Sequence, residues 1–157
     1  MSTIITDSSV VDDGTPTILV VDDDPSLLRL MAFLLKRQGY QLVTAVNGEE
    51  ALLMITQHRP NLVVLDIMMP KMDGYEVTER LRSDPDTALA ATPILMLSAK
   101  AQDEDIIRGM QAGSEAYITK PFDPELLTNA VAAMLRGEAI ADSPTVTQVS
   151  REAPPTA

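Results

Sequence analysis

Apolar runs and helix-period segments alternate through the middle of the chain. Ile18-Leu19-Val20-Val21, Leu62-Val63-Val64-Leu65 and Ile94-Leu95-Met96-Leu97 are unbroken apolar runs of strand length. That is the pattern of strands covered on both faces. Two further strands are predicted over 41–45 and 116–119; they contain Gln41, Thr44 and Thr119 and so suit the edges of a sheet. A helix is predicted after every strand. Asp24-Pro25 starts one over 25–38, with Leu27, Leu28, Leu30, Met31, Leu34 and Leu35 at helical spacing and Gly39 as its stop. Asn47 with Glu50, and Asp73 with Glu76, have the spacing of capping boxes. These helices are predicted to run to about His58, before Pro60, and to about Ser83. The fourth helix is predicted over 103–111, closed by Gly113, and Asp123-Pro124 opens a fifth that ends near Arg136-Gly137.

Five βα units predict a parallel sheet with helices on both faces. The edge-like composition of the second and fifth strands selects the order 2-1-3-4-5, that of a flavodoxin-like (βα)5 doubly wound α/β fold. Residues 1–15 and 138–157 lack a sustained period, and the latter contain Pro144, Pro154 and Pro155. Both read as flexible tails around one domain over 16–137.

In this order the strand ends bring chemistry together. The first strand stops at Asp22-Asp23-Asp24, the third at Asp66, the fourth at Ser98 and the fifth at Lys120. Open α/β sheets place ligands at this edge, beside the switch between the first and third strands. Crowded carboxylates repel one another unless some protonate or a cation enters. Hard oxygen donors suit Mg²⁺, and the lack of imidazole or thiolate nearby disfavours zinc. A carboxylate flanked by a hydroxyl and an ammonium suits phosphoryl transfer, with Asp66 attacking to form an acyl phosphate while Ser98 and Lys120 hold the phosphoryl oxygens.

Composition narrows the setting. The 157 residues fit one domain with length to spare, and the formal net charge is −11. Such a charge argues against direct nucleic-acid binding, which needs Lys and Arg to displace phosphate counterions. Cysteine is absent, so disulfides and thiolate chemistry are excluded. No stretch is long and apolar enough to span a bilayer, and the first residues lack a secretory pattern. A cytoplasmic location is expected.

At these residues the chain resembles the response-regulator receiver domains of two-component signalling. Four segments, ILVVDDDP (18–25), LVVLDIMMPKMDGYE (62–76), PILMLSAK (93–100) and GSEAYITKPF (113–122), match the family's signature regions in order. The resemblance covers about residues 17–136. It implies that Asp66 is the phosphoacceptor and that Asp23, Asp66 and the Met68 backbone carbonyl ligate Mg²⁺, with Asp22 completing the acidic pair through water. It implies Ser98 as the switch hydroxyl, Lys120 as the phosphate partner and Tyr117 as the switch aromatic, with a cis bond before Pro121. The donor would be a histidine kinase or a histidine phosphotransfer protein. A downstream protein would bind the face made by the fourth helix, fifth strand and fifth helix. The only enzymatic chemistry implied is self-catalysed phosphorylation and dephosphorylation.

Other roles are assigned locally. Asp24 reads as a helix cap, His58 as a solvent-facing helix end, and Asp103, Glu104 and Asp105 as the favourable anionic start of a helix. A rival scheme is a haloacid-dehalogenase-like phosphatase with Asp22 as nucleophile and Asp24 as acid/base. It leaves Asp66 and the Pro70–Gly74 loop unexplained and lacks a further acidic strand end after Lys120. A stand-alone receiver or phosphorelay intermediate is expected, with a receiver cut from a larger regulator as the alternative. On the fourth-helix face Arg108 and Glu115 are available for charged contacts, but Ala116 and Ala130 stand where charged partners are expected. A monomer or weak dimer follows.

Overall fold

The computed structural model describes residues 14–99, 102–137 and 146–148. The five predicted strands form at the expected places: β1 (Thr17–Val21), β2 (Gln41–Ala45), β3 (Leu62–Asp66), β4 (Ile94–Ser98) and β5 (Ala116–Thr119). They pair in parallel in the order 2-1-3-4-5. The chain therefore has the flavodoxin-like α/β architecture that the sequence predicts.

Side chains alternate across the sheet and build two cores. Leu19, Val21, Val63, Leu65, Ile94, Met96 and Tyr117 face one side. Ala51 and Ile55 of α2 (Gly48–His58), Val77 and Leu81 of α3 (Gly74–Arg82), and Ala112 at the end of α5 (Asp103–Ala112) cover them. Ile18, Val20, Leu62, Val64, Leu95 and Leu97 face the other side, under Met31 and Leu35 of α1 (Pro25–Arg37) and Leu127 and Val131 of α6 (Pro124–Leu135). β1, β3 and β4 are buried nearly throughout because both faces are covered. β2 keeps exposed positions, as an outer strand does.

The helix starts follow the capping chemistry. The Asp24 carboxylate accepts from the backbone N–H groups of Ser26 and Leu27, and Pro25 stands at the first turn. Asn47 accepts from Glu50 N at 2.8 Å, while Glu50 reaches back to Val46 N at 2.8 Å. The Asp73 and Asp123 carboxylates cap α3 and α6 by accepting from Glu76 N and Glu125 N, each at 2.9 Å.

Two elements depart from the sequence prediction. A short helix, α4 (Thr87–Ala90), is capped by Asp86 in the segment between α3 and β4. Four residues are too few to show a helical period in the sequence. Residues 146–148, assigned above to a flexible tail, form β6 (Val146–Gln148), antiparallel to β5. β5 is thus not an outer strand, and its burial agrees with that.

Candidate functional site

The parallel register sets the ends of β1 and β3 side by side, with Val21 opposite Leu65. Asp66 is the last residue of β3 and Asp22 the first after β1, so both carboxyls emerge at the same edge. Oxygens of Asp22, Asp23 and Asp66 all lie within 4.8 Å of one another. Asp22 and Asp66 are buried, whereas Asp23 is exposed. Lys120 follows β5 and spans the two buried acids. Its Nζ donates to Asp22 Oδ2 and to Asp66 Oδ1, each at 3.1 Å. The backbone fixes that reach, because Lys120 N donates to Ser98 O at 2.8 Å. The Lys120–Pro121 peptide is cis, as expected.

Electrostatics mark Asp66 as unusual. Burial, reinforced by the charge on Asp22 and more weakly by Asp23, pushes its carboxyl up to about 6, against the pull of Lys120. Burial works against the charge on Lys120, but its bonds to Asp22 and Asp66 outweigh that and raise its pKa. The ammonium therefore stays charged. Among the described residues, one cation beside three carboxylates leaves excess negative charge, and the exposed Asp23 opens the cluster to water. This all-oxygen donor set fits a divalent cation of the Mg²⁺ type.

The loop after β3 is held tightly. Gly74 N donates to Ile67 O at 2.9 Å. A Cβ on Gly74 would lie 2.8 Å from both Asp66 O and Ile67 Cα, so only glycine lets α3 approach the acceptor strand this closely. Met68 lies in this loop and is 53 % exposed.

Ser98 ends β4 fully buried, opposite Thr119 in register. The Ser98 hydroxyl and the Tyr75 phenol both lie close to the Tyr117 phenol. Tyr117 is buried with its ring turned inward under α5. Burial raises its pKa and that of Tyr75, so both phenols remain protonated.

The structure thus brings Asp22, Asp23, Asp66 and Lys120 together, with Ser98 at the end of the neighbouring strand β4 and Tyr117 on β5. Asp24 is engaged as a helix cap, and His58 is exposed at the end of α2. Two expectations for the α5 face need correction. Glu115 pairs with Arg82 at 3.0 Å and caps Ile94 N, so its carboxylate is already engaged. Ala116 and Ala130, where charged partners are expected, are buried and present no surface for a charged contact. Sequence reasoning also missed Tyr75. Its partner Asp105 lies 30 residues away and meets it only in the fold.

Comparison with known proteins agrees with this geometry. Residues 18–132 match the response regulator receiver domain family. The chain is 44 % identical over 124 residues to the alkaline phosphatase synthesis transcriptional regulatory protein PhoP of Bacillus subtilis, covering 79 % of this chain and 50 % of that one. It is 43 % identical over 121 residues to the DNA-binding dual master transcriptional regulator RpaA of Synechocystis, covering 77 % and 49 %. The chain thus spans about half the length of these relatives. Among solved structures, the chemotaxis response regulator CheY4 of Vibrio cholerae superposes with a TM-score of 0.70 at 31 % identity, over 75 % of this chain and 97 % of that one. With its acids and lysine at one sheet edge and this match along 18–132, the chain belongs to the response regulator receiver domain family.

Proposed function

We propose that Asp66 accepts a phosphoryl group from a histidine kinase or a histidine phosphotransfer protein, and that the chain passes the signal on by protein contact. The observation that carries this reading is Lys120 bridging Asp22 and Asp66 beside the exposed Asp23. Asp23, Asp66 and the Met68 carbonyl would hold Mg²⁺, with Asp22 acting through water. The ion would offset charge on the transferring oxygens.

The chain's own groups supply the rest. An Asp66 oxygen attacks phosphorus as the bond to the donor's imidazole nitrogen breaks. Lys120 pairs with a phosphoryl oxygen, and Ser98 turns its hydroxyl toward another. The inward Tyr117 follows Ser98 and changes the surface of α5, β5 and α6. Ile107 and Met110 are exposed on α5, which suits a protein partner. PhoP and RpaA are named as transcriptional regulators, but the charge of −11 favours a protein over a nucleic acid as the direct partner here.

The phosphatase scheme has less support. It needs Asp24 as acid/base, and that carboxylate is engaged by Ser26 N and Leu27 N. Labelling with acetyl phosphate and Mg²⁺ tests the reading: the wild type gains one phosphoryl group and Asp66→Asn gains none. Equal labelling of both would move the acceptor elsewhere.

A further inference from the structure

We propose that Tyr75 is a positioning residue of the switch, tying the Tyr117 hydroxyl to the first turn of α5 and to the acceptor loop. The inference rests on the receiver reading above and adds a member to it. Tyr75 is 1 % exposed, two residues into α3, and its neighbour Gly74 lies directly against the Asp66–Ile67 backbone. Its hydroxyl donates to the Asp105 carbonyl of α5 at 3.1 Å. The Tyr117 phenol lies close to this hydroxyl, and the Ser98 hydroxyl lies close to Tyr117 in turn. The Arg108 guanidinium lies 4.2 Å from the centroid of the Tyr75 ring, covering it from the α5 side.

Space is shaped to match. A Cβ on Gly109 would stand 3.3 Å from the Tyr117 ring and 3.1 Å from Met96 Sδ. The glycine thus lets the Tyr117 ring lie close under α5. The result is a buried group of hydroxyls, Ser98, Tyr117 and Tyr75, fixed to α5 by the Tyr75–Asp105 bond, with the Gly74 backbone packed against Asp66. Such a group stabilises one arrangement when it is complete, and each missing member exposes the others to loss. A change at Asp66 therefore reaches α5 by two routes, through the Ser98 hydroxyl and through the Gly74–Tyr75 backbone.

Tyr75→Phe removes the hydroxyl and keeps the ring under Arg108. The full chain carries three tyrosines, Tyr40, Tyr75 and Tyr117, so 3-fluorotyrosine labelling resolves them by ¹⁹F NMR. In the wild type the Tyr117 signal shows almost no shift on exchanging water for heavy water. In Tyr75→Phe that solvent shift grows, α5 amides exchange faster, and acetyl phosphate labels Asp66 about fivefold more slowly. That factor is what losing one hydrogen bond of about 1 kcal/mol amounts to. A Tyr117 signal and α5 exchange unchanged in Tyr75→Phe would overturn the proposal. The ¹⁹F and exchange readouts need no phosphorylation, so failure of the wild type to label would count against the receiver reading and not against this link. Arg108→Gln supplies a second variant: it keeps the hydroxyl, so Tyr117 stays inward, and an outward Tyr117 there would likewise overturn the proposal.

Discussion

Asp66 carries the most consequential single charge in the molecule. Its carboxyl titrates at about 6 when folded, against 3.8 for an ordinary Asp. Below 3.8 both folded and unfolded chains hold the proton. Between 3.8 and about 6 only the folded chain does, and above that the buried charge costs stability. Stability without divalent cation therefore falls as pH rises through this window. Asp66→Asn removes the cost and is expected to raise metal-free stability at neutral pH by about 2 kcal/mol, measured by urea unfolding. Equal stability of the two proteins would mean that the carboxylate is already fully compensated. Gly74 makes a second test: Gly74→Ala forces a Cβ into the Asp66 and Ile67 backbone and should cost about 2 kcal/mol or more, with slower labelling by acetyl phosphate. Asp22, Asp23, Asp66, Ser98 and Lys120 were legible in the sequence because each ends an apolar run, so strand order alone brings them to one edge. Tyr75 was not legible, because its meaning depends on Asp105 and Tyr117, which lie about 30 and 42 residues away and meet it only in the fold.

At the scale of elements, local chemistry wrote the helix starts plainly. Asp24, Asn47, Asp73 and Asp123 cap the helices that their spacing predicted. What the sequence hid is the packing at the opposite end of the sheet. Arg82 donates to the carbonyls of Ala90, Thr92 and Gly113 and to the Glu115 carboxylate, joining α3, α4 and the start of β5. No local pattern links Arg82 to Glu115 across 33 residues. Lysine has one ammonium and no planar fork, so Arg82→Lys should cost about 3 kcal/mol in urea unfolding. A loss below about 1 kcal/mol, the range of exposed pairs, would show that the guanidinium is dispensable. β6 was hidden for another reason: three residues carry no period. Its centre pairs Thr147 with Tyr117. Proline lacks the N–H for such a ladder, so Thr147→Pro should speed amide exchange at Tyr117, whose N–H faces β6, and leave β3 unchanged. Exchange on β5 equal to wild type would mean that the pairing does not protect it.

For the whole molecule, topology turns a linear pattern into a site. Residues 22, 66, 98 and 120 are far apart in the chain and converge because four parallel strands end at one edge of the sheet. Two cores hold that edge rigid from both faces, and the acceptor, lysine and hydroxyl depend on the same frame. The family match along 18–132 and the superposition on CheY4 follow the same frame. The most direct test is to locate the phosphoryl group itself. After labelling with acetyl phosphate and Mg²⁺, borohydride reduction converts an aspartyl phosphate to homoserine, and mass spectrometry of the peptides reads its position. Homoserine at residue 66, abolished when Mg²⁺ is chelated, is the predicted result. Homoserine at residue 22 or 23, or a label that resists borohydride, would contradict the account.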